Sequence, residues 1–167
     1  DLADLRRKID GRTRMLILCS PHNPVGRVWS REELEDLAEI IIEHDLLLVS
    51  DEIHEEHVYR GFKHLPISSL SPEIADRTIT LTAASKAFNI AGLTTSIAII
   101  PNEKLLNLYN IRTENLGLTT GNIFGLVALE AAYTHGQAWI EQLVEYLEGN
   151  MEFARRFFEE RLPEIKF

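Results

Sequence analysis

The sequence predicts an α/β fold, in which a mostly parallel sheet is flanked by helices. Three short runs have the length and composition of strands, and the first is a continuous apolar run, which is typical of a strand buried on both faces. They are RMLILCS (14–20), LLLVS (46–50) and TITLT (78–82). An amphipathic helical pattern lies between the first two runs. Because strand–helix–strand units are typical of parallel sheets, these observations together favour α/β architecture.

The remaining elements follow in chain order. Apolar residues at helical spacing predict a helix over 1–9, and turn-forming residues make PHNPVG (21–26) a loop. Ser30 and Glu33 form a capping-box pattern that begins a helix ending near His44. Residues 51–66 form a polar loop. Farther along we predict a strand and three helices, over 95–100, 102–116, 121–134 and 137–162.

Composition restricts the classes of partner. The chain has 167 residues, with 17 Lys plus Arg and 26 Asp plus Glu, for a net charge of −9. Nucleic acids and anionic membranes attract basic surfaces, so neither is expected as a partner. The single cysteine, Cys19, lies in an apolar strand pattern, which predicts a buried thiol and a cytoplasmic protein. No apolar run reaches the roughly 20 residues that span a membrane.

Polar residues follow each of the three buried strands. Asn23 comes after the first, Asp51 directly after the second, and Lys86 after the third. In open α/β sheets, ligands bind at the carboxyl ends of the strands. These three residue types therefore indicate a ligand site at that edge. Each also has a structural interpretation, since Asn23 and Asp51 are common in turns and caps, and lysines are mostly solvated.

Three motifs in this order resemble those of the fold-type I pyridoxal-phosphate enzymes, the class I/II aminotransferase superfamily. The motifs are Asn23-Pro24-Val25-Gly26, Asp51-Glu52-Ile53-His54 and Ser85-Lys86. The resemblance implies a PLP-dependent transferase-like large domain over 1–136. It also implies a helix over 137–167 that leads towards a small domain missing from this chain. We therefore expect a piece of a longer protein.

The resemblance also assigns roles to residues. Pyridoxal phosphate is an aldehyde, so Lys86 is expected to hold it as a Schiff base and to act as the catalytic base. Asp51 is expected to keep a proton on the pyridine nitrogen, which makes the ring an electron sink. Asn23 and His54 are expected to donate to the phenolic oxygen. Ser85 and Thr82 are expected to hydrogen-bond the phosphate.

Two expectations concern the backbone, and one departure concerns the phosphate. By resemblance, the strand at 95–100 runs antiparallel to the others and the Asn23–Pro24 peptide is cis. Many relatives carry a basic residue for the phosphate shortly after the lysine, but here that segment reads GLTTS (92–96). The glycine-rich phosphate loop and the substrate-binding arginine of such enzymes have no counterpart in these 167 residues.

The branch of the superfamily is indicated by a histidine. Most aminotransferases have tyrosine where this chain has His54. DEIH, an H-x-P element at His64 and the run SKAFNIAGL (85–93) look like the cystathionine β-lyase branch, whose members cleave C–S bonds. The predicted function is thus elimination from cystathionine or another cysteine S-conjugate, a small amino-acid substrate. An aminotransferase is the alternative.

Further alternatives remain open. The segment DEIHEEH (51–57) is rich in metal ligands, but it lacks the H-E-x-x-H pattern, and we predict no metal site. A non-catalytic aminotransferase-like sensor domain would also keep the lysine. His64 either faces the site or packs the loop. By resemblance the protein is a homodimer, with Thr119 and Thr120 near the partner's cofactor; the apolar helix after them is equally typical of a core helix.

Overall fold

The computed structural model describes residues 1–119 and 121–166, so Thr120 lies outside the described residues. Its centre is a four-stranded sheet, in the order β1-β2-β3-β4. The strands are β1 (Met15–Cys19), β2 (Leu47–Asp51), β3 (Thr78–Thr82) and β4 (Ile97–Ile99). The first three are parallel, and β4 pairs with β3 in the antiparallel direction. The predicted α/β class and the direction of the fourth strand are confirmed.

Seven helices and two 3₁₀ turns surround or follow this sheet within the described residues. The helices are α1 (Leu2–Lys8), α2 (Arg31–Glu43), α3 (Pro72–Asp76), α4 (Ala84–Ala87), α5 (Glu103–Asn115), α6 (Ile123–His135) and α7 (Gln137–Arg161); the 3₁₀ turns are Ile67–Ser69 and Ala91–Leu93. Among the described helices, none is both long and apolar enough to cross a membrane.

One face of the sheet is packed against the core, and the other is largely uncovered by this chain. Leu48, Ser50 and Thr78 belong to the packed face and are fully buried. The core on this side is formed with α2, through Leu34, Leu37 and Ile41. On the opposite face, the side chain of Ile17 in β1 is 72% exposed. Because side chains alternate along a strand, Asp51 points to the uncovered face, whereas Ser50 and Glu52 point to the packed face.

Local sequence signals explain the entry into α2. The Ser30 side chain accepts a hydrogen bond from the Glu33 N–H (3.2 Å), and the Glu33 carboxyl accepts one from the Ser30 N–H (2.9 Å). This reciprocal pair satisfies two donors that the first turn leaves free. Glu33 also bonds Arg27 at 2.5 Å, which fastens the loop after β1 to the start of α2.

Candidate functional site

The sheet brings the three predicted polar residues to one edge. β1, β2 and β3 are neighbours and run in the same direction, so their carboxyl ends lie side by side. Asp51 is the last residue of β2, and its Cα lies opposite Cys19 at the end of β1. Asn23 comes four residues after β1, and Lys86 four residues after β3.

Asp51 accepts two hydrogen bonds from backbone N–H groups, one on its carbonyl oxygen and one on its side chain. Its carbonyl oxygen accepts the Ser20 N–H at 3.0 Å, which extends the pairing of β2 with β1. Its Oδ1 atom accepts the Ile53 N–H at 3.2 Å. Within residues 1–119 and 121–166, nothing donates to Oδ2, and the side chain is only half-buried. The carboxyl therefore retains an oxygen that can meet a protonated group.

The lysine lies on a single turn of helix. α4 begins two residues after β3, and buried Ala84 and Ala87 fix the turn against the core. Lys86 points outward and is exposed. No carboxylate in the described part of the chain forms an ion pair with it, so its amine is available to a ligand. Ser85, beside it in the same turn, is half-buried.

The loop after β1, which contains Asn23, has two cis peptide bonds. The peptide bonds Ser20–Pro21 and Asn23–Pro24 are both cis, and the second confirms a prediction from the resemblance. The Asn23 N–H lies 3.5 Å from the Cys19 Sγ, which in turn lies 3.4 Å from the Pro21 carbonyl oxygen. Cys19 was expected to be a buried core thiol, but it is half-buried, because its face of the sheet is not covered by this chain.

His54 stands beside a second histidine. The rings of His54 and His57 have centroids 5.6 Å apart. Burial, and then the charge of His54, lowers the pKa of His57 below its ordinary value. Both histidines and Asn23 line a cavity of about 610 Å³ between the two loops and α7. Asp51, Ser85 and Lys86 are absent from its described walls, so the cavity lies next to the strand-end site rather than within it.

Thr82 has a partner that the sequence did not suggest. Its hydroxyl donates to Glu55 Oε1 at 2.5 Å, and its side chain is on the packed face of the sheet. A phosphate would need that proton, since phosphate oxygens accept hydrogen bonds. The predicted contact of Thr82 with the phosphate therefore competes with an existing bond. Ser85 has no such competing bond in the part of the chain that the structure describes.

Sequence reasoning missed a buried polar group behind the strand ends. Ser50 Oγ donates to Glu52 Oε1 at 2.8 Å, and Glu52 Oε2 lies 2.7 Å from His64 Nε2. The structure thus places His64 against Glu52, in the loop-packing alternative. The period-2 spacing of Ser50 and Glu52 at the end of a buried strand was the one signal that could have indicated this group.

The same region bears on the metal alternative. Glu52, Glu55 and His64 have potential ligand atoms within 4.8 Å of one another, whereas the predicted ligand-rich segment also included Asp51 and His54, which are not part of this group. The described chain already supplies partners to these carboxyl groups, namely Ser50 and His64 to Glu52 and Thr82 to Glu55. A cation is therefore not needed to balance the hydrogen bonds of the group.

Two groups next to it, the half-buried Glu56 and the more exposed Tyr133, have shifted pKa values. Burial, followed by the charge of Glu55, raises the pKa of Glu56 above its ordinary value. Burial is also the largest cause that raises the pKa of Tyr133 to about 12, with contributions from nearby carboxyl groups. Tyr133 belongs to α6, so this helix contacts the loop that follows Asp51. Both groups are in their neutral form over a wider pH range than in water.

The mostly parallel sheet and its flanking helices have the PLP-dependent transferase fold, as the solved structures that the chain matches show. Residues 1–166 match the family Aminotransferase class I and II. The chain belongs to this family.

Individual relatives include lyases and transaminases. The chain is 44% identical to cystathionine beta-lyase PatB of Bacillus subtilis (strain 168), covering 99% of this chain and 43% of the relative. It is 39% identical to kynurenine–oxoglutarate transaminase 3 of Rattus norvegicus, over 65% of this chain and 24% of that protein. The structure matches the PLP-bound C–S lyase of Staphylococcus hominis with a TM-score of 0.90 and 41% identity, covering 98% of this chain and 41% of that one. The chain thus spans less than half the length of the relatives that it matches.

Proposed function

We propose that the complete protein containing this chain is a pyridoxal-phosphate-dependent C–S β-lyase, which cleaves cystathionine or another cysteine S-conjugate. The observation that carries the proposal is the convergence of Asn23, Asp51 and Lys86 at the ends of three neighbouring strands. The similarity to a cystathionine beta-lyase and to a PLP-bound C–S lyase supports it.

The residues present fit the cofactor. An exposed amine without an ion pair suits an aldehyde, and a carboxyl with a free oxygen suits a protonated pyridine nitrogen. Asn23 and His54 supply donors for the phenolic oxygen, and Ser85 supplies a hydroxyl for the phosphate. Thr82 remains in the proposed set, although its hydroxyl proton is donated to Glu55. When bound, the cofactor supplies an electron sink for the electrons of the substrate's Cα–H bond.

The chain's own groups then have defined tasks. Lys86 Nζ accepts the proton from the substrate Cα and can return a proton to the sulfur of the departing thiolate. Asp51 keeps the ring nitrogen protonated, because a carboxylate stabilises a neighbouring positive charge. The C–S bond breaks with its electron pair on sulfur. Water completes the balance, so that cystathionine yields homocysteine, pyruvate and ammonia.

The decisive experiment supplies the complete protein with pyridoxal phosphate and L-cystathionine, without a keto acid, and measures pyruvate. We expect pyruvate over many turnovers, its loss in Lys86→Ala and its retention in Lys104→Ala, an exposed lysine on α5 that serves as the matched control. Borohydride reduction is expected to fix the cofactor to the peptide that contains Lys86. A label on another lysine would contradict the assignment.

The second candidate is an aminotransferase, favoured by the similarity to a transaminase. It predicts no pyruvate from cystathionine alone, but amino transfer once a keto acid is added. The two reactions share the residues at the strand ends, so the products distinguish them. A protein that binds pyridoxal phosphate but performs neither reaction would instead fit the sensor-domain alternative.

Our proposal also covers domain organisation, assembly and location. Residues 1–136 are part of the cofactor-binding large domain, and 137–167 lead towards a small domain. The protein is a homodimer located in the cytoplasm. The exposed apolar side chains of Ile123 and Phe124, which follow Thr119 closely in the sequence, support the homodimer. Light scattering of the complete protein is expected to give twice the mass of one chain, and Phe124→Glu is expected to shift it towards the mass of one chain.

A further inference from the structure

The buried group behind Asp51 has no task in the proposed reaction. Glu52 is 1% exposed, and the side chain of His64 is 8% exposed. Both oxygens of Glu52 have partners, Ser50 Oγ at 2.8 Å and His64 Nε2 at 2.7 Å. His64 comes from the far end of the loop, twelve residues later in the chain. A buried carboxyl with two short hydrogen bonds is held in one orientation.

We propose that His64 is a positioning residue, which acts through Glu52 to hold the Asp51 carboxyl in the orientation that a cofactor's ring nitrogen requires. The role of Asp51 in this inference rests on the proposed function. The connection from His64 through Glu52 to Asp51 does not rest on the proposed function, because it consists of hydrogen bonds and backbone within the chain.

The connection between Glu52 and the Asp51 carboxyl runs through the backbone of residues 50–53. Ser50 and Glu52 point to the packed face and Asp51 to the opposite face, so that the anchored side chains lie on either side of the aspartate. The Glu52 N–H donates to the Leu81 carbonyl oxygen at 2.8 Å, which continues the pairing with β3. The next N–H, that of Ile53, donates to Asp51 Oδ1 at 3.2 Å. The peptide that joins Glu52 to Ile53 therefore connects the anchor to the aspartate.

Removing His64 would leave the Glu52 carboxyl, which is 1% exposed, with Ser50 as its one donor among the described residues. A buried carboxyl that lacks a partner is costly, and removing one member of a buried pair leaves the other uncompensated. Glu55 makes this worse, because a Glu55 oxygen lies within 4.8 Å of the Glu52 and His64 ligand atoms. We expect the Glu52 carboxyl to turn towards solvent and the backbone at Glu52 to rotate with it, about the bonds that also set the direction of the Ile53 N–H. That rotation displaces the Ile53 N–H from Asp51.

Hydrogen–deuterium exchange on the complete protein without cofactor tests the link. The variants are His64→Leu, His64→Asn and His64→Gln, because a glutamine amide can replace Nε2 whereas an asparagine amide is too short. His44→Leu, at the end of α2, is the control. We expect the exchange rate of the Ile53 amide to rise about tenfold in the Leu and Asn variants and to stay near the wild-type rate in His64→Gln. The exchange rates of the β1 amides should not change in any of these variants. Unchanged exchange at Ile53 in His64→Asn would overturn the inference, even if His64→Leu did not fold.

Cofactor binding provides the second readout. With pyridoxal phosphate added, we expect His64→Asn to raise the Kd about tenfold and to reduce the circular dichroism that the bound ring acquires, with His64→Gln restoring both. A variant that melts at a lower temperature but keeps the wild-type Kd and dichroism would show a merely structural role and would overturn the inference. Wild-type protein that does not bind the cofactor would overturn the proposed function instead, while the exchange experiment would still decide the link.

Discussion

The indole N–H of Trp139 donates to the carbonyl oxygen of Ala87 at 3.0 Å, across 52 residues of sequence. Ala87 directly follows Lys86, so the start of α7 is bonded to the turn that presents the lysine. The ring of Phe88 meets Tyr133 of α6 edge-on, with centroids 6.1 Å apart. The junction of α6 and α7 and the lysine turn therefore form one packed unit. Its integrity should matter to both stability and the site.

Gly136, between α6 and α7, permits this packing. A Cβ atom at this position would overlap the ring of Phe88 and the Ala132 carbonyl oxygen. We expect Gly136→Ala to lower the free energy of unfolding by about 1–3 kcal/mol, the usual effect of overpacking. The matched control is Gly149→Ala within α7, where a Cβ meets no atom within 4 Å and should add up to about 1 kcal/mol. Urea unfolding of both variants measures the difference, and equal midpoints would contradict it.

Ser30 is expected to stabilise the start of α2 and the loop in front of it. Ser30→Ala removes the acceptor for the Glu33 N–H, which should cost about 1 kcal/mol. Ser30→Asp keeps an acceptor at the same place and should recover most of this loss. Thermal unfolding of the two variants provides the measurement. A Ser30→Asp variant as unstable as Ser30→Ala would show that the cap contributes little.

The parts of the fold that the sequence predicted are those specified locally. Short runs of apolar and β-branched residues identified the three parallel strands, and the Ser30–Glu33 pattern identified the start of α2. Asn23, Asp51 and Lys86 could be selected because each closely follows a strand, and strand order then brings them together. Local patterns therefore carried most of the architecture and the candidate residues.

The contacts that sequence reasoning missed are all tertiary. His64 lies in a loop without periodicity, so nothing local indicates that it meets Glu52. The bond from Thr82 to Glu55 spans 27 residues, and it changes what the hydroxyl can offer a ligand. Cys19 has the pattern of a buried strand, yet its exposure depends on which elements cover that face of the sheet. Such facts depend on packing, which one sequence does not specify residue by residue.

Asp51 is expected to matter for catalysis far more than for stability. Asp51→Ala removes the carboxyl that would hold a proton on the ring nitrogen, and loss of such a preorganised charge typically lowers kcat by about 10²–10³-fold. Its backbone bonds to Ser20 persist, and the side chain is only half-buried, so the fold should remain. Pyruvate release from cystathionine gives kcat, with Asp36→Ala on the exposed side of α2 as the control. Turnover within a few-fold of wild type would remove Asp51 from this role.

Glu56 should make stability depend on pH above its ordinary pKa of 4.5, because burial and then the charge of Glu55 raise its pKa in the folded chain. The folded state binds this proton more tightly than the unfolded state. The stabilising contribution is therefore complete below pH 4.5 and is lost as the pH rises through the folded pKa. Glu56→Gln carries no ionisable group, so it should melt at a higher temperature than wild type at pH 7.5 and at the same temperature at pH 4.

The size of this effect is limited because Glu56 remains partly exposed, so that solvent screens its charge. We expect a rise in Tm of no more than about 3 °C at pH 7.5. Glu39→Gln, at an exposed position of α2, removes an equal charge and should show no such difference between the two pH values. Parallel melting profiles for Glu56→Gln and Glu39→Gln would mean that net charge, rather than burial of Glu56, controls the pH dependence.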